Sequence, residues 1–298
     1  MITDVPGVTV GHYTDVDGVT GCTVILLPQG SRGSCAIVGS APGTRETDAL
    51  RPESVVDEIH AILLTGGSSF GLGATNGVMS WLRERGVGFS MRELIVPIVP
   101  TAVIFDLAVG DGLAHPTAEN ARAACDAAGT SVEEGSVGAG TGATVAKWAG
   151  PEHRRKGGLG TASIRTGDVV VGAIVVCNAV GDVVDEHAQP LAAADVPTGT
   201  PWASVAPTNT VLAAVVTNAT LDKRTCAHIA RMASAGIAQA VRPAFTFFDG
   251  DIVFCAATGQ ADAEPIAVGA VVADVVAQAL RRGVRAAKGL GSVPGLAG

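Results

Sequence analysis

The sequence predicts an α+β protein in four stacked layers, helix over sheet over sheet over helix. Two observations predict it. Runs such as VVVGAIVVCN (169–178) and TVLAAVVT (210–217) are apolar at successive positions, as strands covered on both faces must be. Two long helical stretches then follow the second run, the first with a clear apolar stripe, and each needs a sheet face to cover it.

VTVGHYT, CTVILLP and SCAIVGS are β-rich runs parted by DGVTG and QGSRG, which carry turn residues and predict a meander or hairpin pair. HAILLTGGSSFGLGATNGVMSWLRERGVG passes from an apolar strand through a Gly/Ser turn into a helix with Val78, Trp81 and Leu82 on one face. PTAENARAACDAAG predicts a second helix, with Pro116 near its start and Gly129 at its end. TGD between two β-patterned runs predicts a hairpin, and NAVGDV a turn out of a buried strand. Residues 185–208 have no period and are expected to form an exposed loop. A strand from Thr210 to Thr217 leads to a helix from about Leu221 to Val241, striped by Cys226, Ile229, Ala233, Ile237, Ala240 and Val241. The strand DIVFCAAT and a helix from about Pro265 to Arg285 complete the chain. No repeat and no linker divides it, so residues 1–298 are expected to be one domain.

Composition narrows the function. Glycine is abundant, 39 of 298 residues with 15 prolines, yet Gly plus Pro stays below the roughly 25–30 % of low-complexity chains. The glycines are therefore expected at tight turns and close backbone approaches. A net charge of −8 argues against a nucleic-acid or anionic-membrane surface. The one basic run, His153–Lys156, is expected to be a solvated loop. Six cysteines lack C-x-x-C or metal-site spacing and read as buried free thiols. The amino terminus lacks the basic and long apolar regions of an export signal. The longest apolar stretch, Val169–Cys177, is too short to span a membrane. A soluble cytoplasmic protein is expected.

Several segments carry possible chemistry. LLTGGSSFGLG has glycines between a strand and a helix but matches neither phosphate-binding signature, so it reads as a close-packed turn. Lys147 lies in GAGTGATVAKW, where a cleft would lower its pKa. Asn178 ends an apolar strand, as a turn former or as an amide donor to an oxyanion. Asp249 and Asp251 flank a glycine in FFDGD, as turn residues or as a carboxylate pair. No H-E-x-x-H and no G-x-S-x-G occurs. Asn209 and Thr210 stand at the mouth of an apolar strand, where Thr is either a strand former or a nucleophile.

Together, ITDVPGVTVGHYTD, LLTGGSSFGLGATNGV, VPTAVIFDL, GAGTGATVAKW, VVCNAVGDV, NTVLAAVVTNA and RPAFTFFDGDIVFCAATG resemble the DmpA-like L-aminopeptidase/D-esterases. That family includes the β-peptidyl aminopeptidases and the nylon-oligomer hydrolase NylC. The resemblance covers nearly the whole chain. It implies an αββα sandwich of the N-terminal-nucleophile type that cuts itself between Asn209 and Thr210, giving fragments 1–209 and 210–298. Thr210 then becomes nucleophile and new amino terminus, and its α-amine, with a reference pKa of about 7.7–8.0, serves as base. By the same resemblance Asn178 matches the oxyanion asparagine, Asp249 and Asp251 the pair that orients the nucleophile, and Lys147 an active-site lysine. Where several relatives have Tyr, this chain has Phe105, which alters the substrate pocket.

The resemblance implies no metal and no organic cofactor, a small peptide or amide substrate, and a homotetramer of processed protomers. Acyl transfer of the ornithine acetyltransferase type and a non-catalytic small-molecule-binding homologue are the alternatives.

Overall fold

Two five-stranded sheets lie face to face in the computed structural model, which describes residues 1–192 and 208–298. The main strands are β1 (Thr9–Asp15), β2 (Thr20–Leu26), β3 (Arg32–Ile37), β4 (Thr44–Arg45), β5 (Ala61–Thr65), β6 (Thr101–Val103), β7 (Leu159–Thr166), β8 (Val169–Asn178), β9 (Thr210–Ala219) and β10 (Ile252–Ala261). The helices that cover them are α1 (Thr75–Glu84), α2 (Ala118–Asp126), α3 (Lys223–Ala240) and α4 (Pro265–Ala286). One sheet runs β1-β2-β5-β6-β4 and the other β7-β8-β9-β10-β3.

The central strands explain the layering. Every residue of β8 and of β9 is buried. In β9, Val211, Ala213 and Val215 join the core under α3 and α4, while Leu212, Ala214 and Val216 join the core between the sheets. This is the period-two alternation of a strand with two apolar faces. On the far side, Cys22, Val24, Ala61 and Leu63 meet Val78, Leu82, Ala121 and Ala124 of α1 and α2. Each buried Val or Leu contributes about 1.5–3 kcal/mol, so a charge at Val215 would break the middle layer. The four-layer order expected from the sequence is the one observed.

Helix ends follow local chemistry. Asp222 caps α3 by accepting the Thr225 N–H at 2.7 Å, and Pro265 opens α4, where its missing N–H costs nothing. Thr117 caps α2, its N–H donating to Asn120 Oδ1 at 2.9 Å. A Cβ on Gly160 would lie 2.1 Å from the Ala279 carbonyl oxygen, so glycine lets α4 press against β7.

Two expectations need correction. The run SCAIVGS forms β3 and crosses to the edge of the second sheet beside β10, rather than continuing the β1–β2 hairpin. The run His153–Lys156 is not a solvated loop: its first three residues are half-buried, and Lys156 is fully buried and donates to the Thr141 carbonyl at 2.5 Å. An ammonium ion that bonds a buried carbonyl is tolerated inside, which a count of charges in a row does not reveal. Of the expected loop 185–208, residues 186–190 are exposed, whereas 193–207 lie outside the described residues. Among the described residues no helix is long and apolar enough to cross a membrane.

Candidate active site

Three adjacent strands of the second sheet bring their ends to one edge. Strand β8 ends at Asn178, which pairs antiparallel with Thr210, the first residue of β9. Strand β10 runs parallel to β9, with Leu212 opposite Ile252, so residues 249–251 lie beside 209–211. An isolated parallel bridge between Asn209 and Asp249 extends that pairing upstream. Thus the carboxyl end of one strand and the amino ends of two others meet where the sequence places Asn178, Thr210 and the two aspartates.

The Thr210 hydroxyl donates to the Asn209 carbonyl at 2.5 Å, and the residue is 5 % exposed, enough to meet a cavity. Asn178 is fully buried. Its Oδ1 accepts from Lys147 Nζ at 2.9 Å and from the Thr144 N–H at 3.0 Å. Its Nδ2 donates to the Phe105 and Thr208 carbonyls, each at 3.2 Å. Lys147 also donates to the Asn178 carbonyl at 2.9 Å. These bonds fix which end of the amide carries the oxygen and which the NH₂ group.

The aspartates grip backbone. Asp251 Oδ1 accepts the Val211 N–H at 2.6 Å and so anchors β9 one residue past Thr210. Asp249 accepts from the Val180 N–H at 3.2 Å and from the Thr246 N–H at 3.0 Å and hydroxyl at 2.5 Å. Burial and the neighbouring Asp249 push Asp251 up to about 7, although its backbone hydrogen bonds and Lys147 oppose the shift. Lys147 keeps part of its side chain in contact with solvent, yet desolvation pulls its amine down to about 7 against the attraction of Asp249.

A cavity of about 210 Å³ opens on Thr210 between the mouths of the sheets. Ser68, Ser69, Val103 and Phe105 line it from the first sheet's side, with Ala41, Pro42, Gly43 and Thr208 completing the wall. The Gly/Ser turn is therefore more than packing: its serines face the threonine. Asp106 holds it in place, accepting the Gly67 N–H at 2.7 Å and the Thr20 hydroxyl at 2.8 Å. Ser68 and Ser69 went unseen in the sequence because a turn former and a pocket-lining hydroxyl are the same letter. The left-handed backbone of Ser68 (φ 52), rare for a residue other than glycine, is invisible there too.

Among the described residues no group of three or more His, Cys, Asp or Glu side chains is placed to hold a metal ion, and the six cysteines are unpaired thiols. Among the described residues no histidine lines the cavity; His12 bonds Thr23 at 2.9 Å and His60 accepts from the Ile98 N–H at 3.1 Å.

Comparison with known proteins gives the site its context. The profile described as peptidase family S58 matches residues 1–295. An uncharacterized aminopeptidase of Mycobacterium leprae (strain TN) is 39 % identical, covering 98 % of this chain and 92 % of its own. A 6-aminohexanoate-oligomer endohydrolase of Agromyces sp. (strain KY5R) is 31 % identical, over 87 % of this chain and 75 % of its own. Among solved structures, a Burkholderia sp. β-aminopeptidase superposes with a TM-score of 0.79 at 24 % identity, covering 99 % of this chain and 90 % of its own. The L-aminopeptidase D-Ala-esterase/amidase of Ochrobactrum anthropi, described as a variant of the Ntn hydrolase fold, gives 0.78 at 22 %, covering 98 % and 88 %.

Proposed function

Because the chain belongs to peptidase family S58 and is a hydrolase of peptide or amide bonds, we propose that it is a self-processing N-terminal-threonine hydrolase whose nucleophile is Thr210. The Thr210 oxygen attacks the Asn209 carbonyl carbon, and the hydroxyl proton passes to the Thr210 nitrogen as the C–N bond breaks. Water then hydrolyses the resulting ester, leaving a carboxylate on Asn209 and a free hydroxyl and amine on Thr210. That amine is the base for later turnovers, in which the hydroxyl attacks a substrate amide and an acyl-enzyme forms. Asp251 fixes the strand that carries the nucleophile, Lys147 fixes the Asn178 amide, and Phe105 with the Gly/Ser turn receives the acyl group.

The observation that carries this reading is the contact of the Thr210 hydroxyl with the carbonyl of its own peptide bond, 2.5 Å, beside a buried amide and a carboxylate. Substrates of the proposed enzyme are short peptides, amino-acid amides or ω-amino-acid oligomers, the last in keeping with the 6-aminohexanoate-oligomer relatives.

Intact-mass spectrometry of the wild type beside Thr210→Ala tests it. The wild type is expected to yield fragments ending at Asn209 and beginning at Thr210, and to hydrolyse aminoacyl p-nitroanilides. Thr210→Ala is expected to stay whole and inactive. Identical masses and activities in the two proteins would refute the proposal.

A further inference from the structure

Both hydrogens of the Asn178 amide are engaged away from the bond to be cut, on the Phe105 and Thr208 carbonyls. The Asn209 carbonyl, where negative charge develops when Thr210 attacks, instead accepts the backbone N–H of Gly250 at 2.7 Å. Building on the proposed self-cleavage, we infer that the two reactions at Thr210 use different oxyanion donors: the Gly250 N–H serves the chain's own cleavage, and the Asn178 amide serves substrate turnover.

The Gly250 donor is held as such a donor must be. The Asp249 carbonyl accepts the N–H groups of Ser40 at 2.8 Å and Ala41 at 3.0 Å, and the Asp251 carbonyl accepts those of Val38 at 2.9 Å and Gly39 at 3.0 Å. The peptide that carries the Gly250 N–H and the peptide that follows Asp251 are thus clamped by one neighbouring segment. A donor already aimed before charge appears stabilises it without reorganising. Glycine is required for the approach, since a Cβ at 250 would lie 2.3 Å from the Ala41 carbonyl oxygen and 3.0 Å from the Thr210 hydroxyl oxygen.

The sequence of events follows from the bonds. As the Thr210 oxygen bonds to the Asn209 carbon, the carbonyl electron pair moves onto the Asn209 oxygen, which the Gly250 N–H holds. Collapse expels the Thr210 nitrogen with the hydroxyl proton, and water releases residues 1–209 from the ester. Once the chain end at 208–209 moves off, Nδ2 of Asn178 loses the Thr208 carbonyl, while Lys147 and Thr144 still hold its Oδ1. An oriented N–H is then available to a substrate carbonyl.

Two changes separate the donors. Glycolic acid at position 250, introduced by cell-free translation of the full chain, replaces that N–H by an ester oxygen. It is expected to slow appearance of the 210–298 fragment by about 100-fold or more. Asn178→Ala is expected to process within about threefold of wild type, while p-nitroanilide turnover by the processed enzyme falls by about 100-fold. Asn178→Asp, which keeps the acceptor facing Lys147 and Thr144 but loses the NH₂ group, guards against misfolding and is expected to behave alike. The inference is overturned if the ester chain processes at the wild-type rate, or if a folded Asn178 variant cannot process. A wild type that never cleaves would refute the parent reading instead.

Discussion

Lys147 and Lys156 lie on one stretch of chain and share one physical condition, yet they serve different ends. Desolvation lowers the first to about 7 and the second to about 8. What each amine faces differs. Lys147 meets the carbonyl and the side-chain oxygen of Asn178 and lies near Asp249 and Asp251. Lys156 meets the Thr141 carbonyl and lies near Asp106, whose own partners are Gly67 and Thr20. Lys156 therefore joins one glycine-rich loop to another, whereas Lys147 orients the Asn178 amide, whose NH₂ group bonds the Phe105 and Thr208 carbonyls beside Thr210. A depressed lysine marks burial, and only its partners mark a reaction.

The largest effect that tests this contrast is on turnover. Lys147→Met is expected to lower kcat for an aminoacyl p-nitroanilide by about 100-fold, because the Asn178 amide loses the amine donor that fixes it, comparable to losing an oxyanion donor. Thermal unfolding is expected to hold steady or improve, since a desolvated charge has gone. Undiminished kcat would erase the distinction between the two lysines.

The second effect is on stability. Lys156→Met removes the donor to the buried Thr141 carbonyl and an opposite charge near Asp106, and leaving a buried acceptor unsatisfied costs about 1–3 kcal/mol. Denaturant unfolding is expected to show that loss with kcat per folded molecule unchanged. Adding Asp106→Asn removes the unbalanced charge and is expected to recover part of it. A kcat that falls with Lys156→Met would place this lysine with the reaction rather than the scaffold.

The two lysines also mark how far the sequence can be read. The strands β8 and β9 and the stripe of α3 were legible because burial on two faces or on one face leaves a period in the letters. Asn178, Thr210, Asp249, Asp251 and Lys147 were legible because several blocks in order resemble a known family, and the fold brings them to one sheet edge. Lys156 was misread because its compensation, the Thr141 carbonyl, is backbone. The Gly250 N–H escaped for the same reason: every residue except proline carries that donor, and only tertiary structure decides which one is aimed. Asp249 and Asp251 drew notice as side chains, while the glycine between them looked like a spacer.

The smallest effect is in the pH dependence of stability, and it separates the two lysines without reference to activity. Each has a folded pKa below its ordinary 10.5, so above the folded value the unfolded chain binds more protons and stability rises with pH. Asp251 acts oppositely: raised to about 7, it makes stability fall as pH climbs from its ordinary value toward 7, and its influence ends there. Buried thiols such as Cys22 and Cys177, raised above their ordinary value of 9.0, turn the curve down again at higher pH. Between about pH 7.5 and 8.5 the lysines dominate, each worth up to about 1.4 kcal/mol per pH unit once deprotonated. Denaturant midpoints across that window are expected to climb in the wild type. In Lys147→Met the climb should vanish near pH 7.5 and persist toward 8.5, because the contribution of Lys156 begins near 8. In Lys156→Met it should persist across the window at the slope of one deprotonated lysine, without the steepening above about pH 8 that Lys156 adds in the wild type. Parallel curves for the wild type and both variants would mean that neither amine is held in the low-dielectric setting on which their contrast depends.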